Sequence, residues 1–538
     1  MIVFRTQVSS NVGIGHLARC RNLATYLQAQ NYPILFVVDE VDSKITDYLD
    51  GFSYRALYTD TARYTDERSD ADLFLELMDG KSPQAIIVDC YGLSATWEQT
   101  VAILGCPIVA IDDRDQDVHQ CDLLIDVKWQ GKNTALRYQN KVPSDCARLL
   151  GPQYLLMDER FVDAEQVKGS SGRPGTYNLL MSLGGGGDLS TLVKLIQQLM
   201  DQQPQNLSCV IRPVVGPFAT NRDKLLKFCR SHEELQPIIG QNDLLEPLKE
   251  TDFFIGAAGG TLFEALALNI PSLTFSINEN QYNSLSDLED LGHYFHLNSL
   301  RENEYENLAL LIWLMLANFG RVQQLYQTPS KISIDGKGVN RVGSTIDRLI
   351  RFGQIEQEDE FSDDPGETVE SYCMHRIDDR AVNHYLQSRN LDINLKNMIE
   401  TERVSPLHHY IWWFRDNKRV SYLLKRGDEP LLYIWHHLKQ SNSQNVLIGG
   451  WFVCSKQSGP MDAMYALTQQ LSITRNEFPN TPWVAVIHNN NRFVQHLNER
   501  LGFEQIGPED KMFAVVNDCF PMANPDVFRY YVLTASPN

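Results

Sequence analysis

The chain has 538 residues, with 48 Lys or Arg against 68 Asp or Glu, a formal net charge of −20. At ~150 residues per domain the length implies several domains, and the acidic balance excludes polyanion binding and adhesion to anionic membranes as the main activity. Hydrophobic residues at 43% and charged residues at 22% are those of a folded chain, not a disordered one.

The amino terminus, MIVFRTQVSS, enters a strand pattern without a basic region, an apolar core or a cleavage site, so no secretory signal and a cytoplasmic location are expected. IVFR, ILFVVD, AIIVD, PIVAID and LLID are strand-like and alternate with helical stretches, the first near 16–30. That alternation predicts an α/β fold with a largely parallel sheet over 1–175. A second series begins with NLLMSL before Gly184–Gly187, followed by a helical period through Leu192, Leu195, Ile196 and Leu199. VIRPVVG, DFFIGAAGG and PSLTF continue it, predicting a second Rossmann-type half over 176–352. The longest apolar run, Leu308 to Ala317, has ten residues, short of the roughly 20 that span a bilayer, and predicts a buried helix.

Residues 353–370 read as an acidic linker: Glu356 to Glu370 hold eight acidic residues and no Lys or Arg, a composition that repels itself and buries little. In 371–538, LLYIWHH and VLIGGWFVC are strand-like, a helix is expected from Met461 to Ile473, then WVAVI and a short helix ending at Gly502-Phe503. This predicts a smaller α+β domain. The ten cysteines form no CxxC and no Cys/His spacing, so neither a metal site nor a disulfide framework is expected.

Three glycine-rich turns carry the candidate chemistry. Asn11-Val12-Gly13-Ile14-Gly15-His16 joins the first strand to the first helix, placing His16 where the helix dipole favours a neutral imidazole able to act as a base; a capping or packing histidine is the alternative. Gly184 to Gly187, and Gly256-Ala257-Ala258-Gly259-Gly260-Thr261 ahead of Glu264, are turns suited to seat phosphates on backbone amides, with Glu264 available to ribose hydroxyls. Close packing of helix on strand is the alternative for each.

FRTQVSSNVGIGHLARCRNLA, IIVDCYGLSATWE, IVAIDDRDQDVHQCDLLID, LLGPQYLLMDERF, MSLGGGGD, IGAAGGTLFEALALNIPSLTF, NENQ and IDGKGVNR stand in this order. The set resembles the UDP-sugar hydrolases of pseudaminic acid biosynthesis, which remove UDP from UDP-2,4-diacetamido-2,4,6-trideoxy-β-L-altropyranose. The resemblance covers nearly all of 1–350 and implies a GT-B-like fold, a UDP-amino sugar as substrate and no metal. It implies His16 as the base that activates water, with Asp89 and Tyr91 beside the sugar. Arg5, Gly13, Gly15, Gly184, Gly185, Gly260, Thr261, Glu264, Asn280 and Gln281 are implied on the substrate and nucleotide. The family's acidic residue in R-x-D-x-S is Gln7 here, between Arg5 and Ser9.

NRFVQHLNERLGF, from Asn491 to Phe503, resembles the end of the GNAT acetyltransferase fold. That likeness implies acetyl-CoA as cosubstrate, with Asn491 near its pantetheine arm and Gly459 in the pyrophosphate loop. The tyrosine that protonates the thiolate in that family is Asn498 here, and Lys456 to Met461 offer one glycine and a proline. His408, His409, His436, His437 and His488 are candidate bases. The combined expectation is a bifunctional enzyme that N-acetylates an amino-sugar nucleotide and hydrolyses the acylated UDP-sugar. A UDP-sugar-dependent glycosyltransferase is one alternative, and a sugar-nucleotide-binding scaffold with a degenerate acetyltransferase domain is another.

Overall fold

The computed structural model describes residues 1–8, 14–41, 43–58, 66–162, 164, 175–241, 243–277, 283–353, 371–415, 418–441 and 444–534. The acidic stretch read as a linker, and Gly13, Asn280 and Gln281, lie outside the described residues. The chain forms two compact units, Met1–Ser362 and Asp363–Asn538.

The first unit holds two parallel sheets. Strands β1 (Ile2–Thr6), β2 (Ile34–Val38), β3 (Ser53–Ala56), β4 (Ala85–Asp89), β5 (Ile108–Ile111), β6 (Leu123–Asp126) and β7 (Ala147–Leu150) take the order β3-β2-β1-β4-β5-β6-β7. The strands β1, β2 and β4 are buried along their whole length, which explains their apolar runs, broken only by Arg5 and Thr6 at the end of β1 and Asp89 at the end of β4. The short β3 and β7 carry Arg55 and Arg148 at the sheet edges and show no such run. The second sheet comprises β8 (Thr176–Ser182), β9 (Ser208–Val215), β10 (Ile238–Ile239), β11 (Phe253–Ala257), β12 (Ser272–Phe275) and β13 (Phe295–Leu297), ordered β10-β9-β8-β11-β12-β13. Both are Rossmann-type sheets, paired as in the GT-B fold.

Each sheet reverses its strand order once, between β1 and β4 and between β8 and β11. Such switch points open a crevice beyond the carboxyl ends of the two strands, because the connecting helices leave to opposite faces. Helix α1 (Gly15–Ala29) follows β1, α2 (Ser190–Asp201) follows β8, and α3 (Gly260–Ala267) follows β11. The buried face of α2 is Leu192, Leu195, Ile196 and Leu199, the residues whose period predicts it. Helix α4 (Tyr305–Ala317) buries the ten-residue apolar run, and no single helix among the described residues is long and apolar enough to cross a membrane.

Helix α5 (Gly338–Phe352) lies in the sequence of the second half but packs on the first. Val339, Val342, Ile346 and Leu349 share one core cluster with Leu23 and Leu27 of α1, and Tyr32 donates to Asp347 at 2.6 Å. The half-boundary expected from the sequence therefore does not describe this helix: its apolar face completes the core of the preceding half.

The second unit has one mixed sheet of β14 (Tyr372–Arg376), β15 (Val420–Arg426), β16 (Glu429–Ser441), β17 (Gln444–Val453), β18 (Trp483–His488), β19 (Glu504–Ile506) and β20 (Phe528–Leu533), ordered β14-β15-β16-β17-β18-β20-β19. All pairings are antiparallel except β17 with β18, which are parallel and joined only at Leu447 with Trp483 and Ile448 with Val484. Beyond those pairs the two strands part. Helix α6 (Pro460–Glu477) connects them and α7 (Arg492–Arg500) follows β18, giving the α+β, GNAT-like arrangement.

Gly338 opens α5 where a Cβ would stand 2.1 Å from the Leu155 carbonyl oxygen. Backbone cannot rotate away as a side chain can, so Gly338→Ala is expected to destabilise the first unit by about 1–3 kcal/mol; urea unfolding at unchanged m-value checks it.

Candidate functional site

The carboxyl ends of β1 and β4 bring His16 and Asp89 together. His16, the second residue of α1, is 6% exposed, and Asp89, the last residue of β4, is fully buried. His16 Nδ1 lies 2.6 Å from Asp89 Oδ1. Arg19, one turn further along α1, grips the same carboxylate with Nε at 2.7 Å and Nη2 at 2.6 Å, and Cys20 donates its thiol to it at 3.4 Å. Burial pushes Asp89 up, but Arg19 and His16 outweigh it and hold the carboxyl well below the usual range. The ionised Asp89 accepts the proton on Nδ1, so the lone pair of a neutral His16 is on Nε2, which has no hydrogen-bond partner among the described residues. The sequence points to the helix dipole as the influence on His16; the nearer one is Asp89.

Tyr91 stacks edge-on against His16 with centroids 4.5 Å apart and donates its hydroxyl to Asp113 at 3.0 Å. Burial and the Asp113 charge push the phenol up, keeping it a donor. Arg19 also reaches Asp113 at 3.2 Å, and the Arg114 guanidinium lies 4.6 Å from the centre of the Tyr91 ring. Arg19, Asp113 and Arg114 escape the motif reading. Their signals are the i, i+3 spacing of Arg19 from His16 on one helix face and the IDDR run at the carboxyl end of β5, beside β4.

Arg5 is corrected by the structure. It is 2% exposed and its side chain is engaged throughout: Asp70 at 3.3 and 2.7 Å, Asp39 at 2.7 Å, Tyr58 at 3.3 Å and the Thr6 carbonyl at 3.3 Å. A buried guanidinium so paired ties β1 to its surroundings and has no face for a ligand. Gln7, at the family's acidic position, leaves its Oε1 buried without a partner among the described residues; Asp39 and Asp70 carry the negative charge beside Arg5 instead.

The two glycine turns of the second sheet meet at the other switch point. Gly184 takes φ +82° with open space where a Cβ would be, and Gly260 and Gly15 likewise have nothing within 4 Å. Gly185 differs: its Cβ would stand 2.6 Å from Ile14 Cγ2, so its lack of a side chain lets the β8 turn approach the start of α1, and packing accounts for it. Gly256 lies within β11, where a Cβ would meet the Ser182 carbonyl oxygen at 1.9 Å; strand packing accounts for it too, and the turn begins only after Ala257. Gly259 caps α3, leaving the amides of Gly260 and Thr261 without intrahelical acceptors. Glu264, half-buried on α3, accepts no hydrogen bond from a described residue, and burial, then Asp243 and Asp158, push its carboxyl up to about 7. Asp158 and Asp243 both pair with Arg160, at 2.6 and 3.0 Å.

In the second unit, a cavity of about 190 Å³ occupies the wedge between β17 and β18. It is lined by Asn491 and Asn498 of the GNAT-like stretch and, of the five candidate histidines, by His488. His408 is exposed, while His409 and His436 are buried and pushed down to about 4 by desolvation. The start of α6, where the acetyl-CoA diphosphate is expected, does not fit that group. The Gly459 amide donates to Asp462 Oδ2 at 2.7 Å, Pro460 has no N–H, and the Asp462 carboxylate, 1% exposed, occupies the helix end. Gly459 is thus a cap for its own helix.

No known family profile matches the chain. An uncharacterised protein of Methanocaldococcus jannaschii is 21% identical over 532 residues, covering 96% of this chain and 99% of that one. The UDP-2,4-diacetamido-2,4,6-trideoxy-beta-L-altropyranose hydrolase of Campylobacter jejuni is 23% identical over 297 residues, 54% of this chain and 97% of the hydrolase. A solved structure of S. aureus MnaA with UDP is 15% identical over 67% of this chain and all of that one, with a TM-score of 0.45. Fold, site and relatives together support an enzyme of nucleotide-sugar metabolism.

The raised carboxyl of Glu264 has a signed consequence. A folded-state value near 7 against about 4.5 unfolded means its contribution to stability is present below 4.5 and is lost as pH rises through 7. Glu264→Gln is therefore expected to gain on the wild type by about 1–3 kcal/mol between pH 5 and 8, measured by urea unfolding at both pH values.

Proposed function

We propose that the first unit hydrolyses a UDP-linked 2,4-diacetamido-2,4,6-trideoxy sugar to the free sugar and UDP. The observation that carries this reading is the Asp89–His16 pair, with its unpartnered Nε2, at the carboxyl end of the first sheet. The Campylobacter jejuni hydrolase, which aligns along 97% of its own length, supports the choice of substrate.

Water attacks the anomeric carbon and passes its proton to His16 Nε2. The bond from that carbon to the diphosphate oxygen breaks, and its electron pair leaves with UDP. Asp89 holds the imidazole in the productive tautomer and stabilises the imidazolium that forms. The departing diphosphate needs stabilisation more than protonation, a task suited to the amides of Gly260 and Thr261 at the start of α3. Glu264, in its ionised form, accepts bonds from the ribose hydroxyls. Attack opposite the leaving group inverts the anomeric centre, as when a base delivers water to an inverting glycosidase substrate. Arg19 and Asp113 hold Asp89 and Tyr91 in place.

The acetyl-transfer step implied for the second unit is not part of this proposal, because the start of α6 is filled by Asp462.

Incubation with UDP-2,4-diacetamido-2,4,6-trideoxy-β-L-altropyranose is expected to release UDP without any acceptor and to yield the inverted anomer by NMR. His16→Ala and Asp89→Asn are each expected to lower kcat by about 10²–10⁴-fold. Release of UDP only when an acceptor sugar is added shows a glycosyltransferase, and undiminished release by His16→Ala removes this mechanism.

A further inference from the structure

Arg19 bridges two carboxylates, Asp89 at the end of β4 and Asp113 just beyond β5, and no other guanidinium or ammonium among the described residues lies within 4 Å of either. One cation serves two anions. Its Nη2 and Nε take the two Asp89 oxygens at 2.6 and 2.7 Å, and its Nη1 reaches Asp113 Oδ2 at 3.2 Å. Burial works against the Arg19 charge, but the two carboxylates outweigh it and hold the guanidinium protonated.

His16 shares the same carboxylate, with Nδ1 at 2.6 Å from Asp89 Oδ1 and at 3.2 Å from Arg19 Nη2. An imidazole paired with a lone buried carboxylate is drawn to its charged form. Here the carboxylate is already neutralised, and a proton gained by His16 sets a second cation 3.2 Å from the first. The other groups around the imidazole leave that balance as it is. Cys20 donates its thiol to Asp89 at 3.4 Å, and burial, then Asp89, pushes that thiol up, so it stays uncharged. Tyr91, edge-on to the ring, keeps its phenol proton. Arg114, against the Tyr91 ring, pairs with Asp117 at 2.6 Å.

We propose that Arg19 is a positioning residue acting through Asp89: it keeps the Asp89–His16 pair from holding a resident proton near neutral pH, so that Nε2 can take one from water and release it afterwards. The inference rests on the hydrolase reading above for the activity that Arg19 tunes; the charge arrangement stands without it. With the guanidinium removed, Asp89 has no countercharge but His16, and the pair takes up one proton on the imidazole, the more basic of the two.

The pH profile of kcat/KM for UDP release tests this in the wild type, in Arg19→Gln, which keeps an amide donor without charge, and in Arg19→Lys, which keeps the charge without the two-pronged grip. The acidic limb is expected to move up by about one to two pH units in Arg19→Gln, lowering kcat/KM about 10- to 100-fold near pH 6 and far less near pH 9. Arg19→Lys is expected to lower kcat with the limb in its wild-type place. An unmoved limb in Arg19→Gln, an equal loss at every pH, or a limb moved as far in Arg19→Lys overturns the proposal. A second readout needs no turnover: the Cε1 carbon NMR signal of His16 in the full chain, assigned by its absence in His16→Gln. Near pH 7 it is expected to report an uncharged ring in the wild type and a protonated one in Arg19→Gln. A protonated wild-type ring, or the same charge state in both proteins, sinks the idea whether or not UDP is released, so a failure of hydrolysis and a failure of this role for Arg19 are read separately.

Discussion

A single buried carboxylate organises the first unit's site. Asp89 is fully buried at the end of a central strand, where an unpaired charge would cost several kcal/mol. Its three side-chain partners are therefore obligatory. Arg19 supplies the countercharge, Cys20 and His16 complete the shell, and the Asp89 carbonyl accepts the Gln7 amide at 3.1 Å. That last bond fixes the backbone where β1 ends, just before the glycine turn. The orientation of His16 follows from the same demand for charge satisfaction, so its imidazole is aimed by the Asp89 carboxylate.

The two sheets solve complementary problems with one device. At the first switch point the fold assembles a buried side-chain pair, Asp89 with His16; at the second it leaves the first amides of α3 and the Glu264 carboxylate without partners among the described residues. Helix α5 makes the arrangement durable, because its apolar face belongs to the core of the first half while its chain belongs to the second. Gly185 brings the β8 turn against Ile14, two residues from His16. The second unit uses the same element, a helix start after a strand, in the opposite sense. There an internal carboxylate takes the position that an external anion would otherwise claim.

Much of this was legible in the residues. The alternation of apolar runs and helical periods identifies both parallel sheets, since strands buried on both faces must be apolar throughout. The edge strands β3, β7, β10 and β13 carry weaker patterns because they are short. The motif GxGH and the D-x-Y pair name His16, Asp89 and Tyr91, yet no spacing says that residues 73 positions apart close to a 2.6 Å contact. Arg5 stands in a family motif, but its role as a buried structural cation depends on Asp39 and Asp70, which lie on other elements.

The opening arithmetic illustrates the same division. Composition determined that the chain folds into several α/β parts and that net charge is no attractant for polyanions; local pattern determined which turns follow which strands. Tertiary structure alone decided which glycines face open space and which exist for packing, because that depends on atoms distant in the sequence. It alone assigned Asp462 to the start of α6. Hydrogen-bond satisfaction and charge pairing are properties of neighbours in space, and sequence order does not record them.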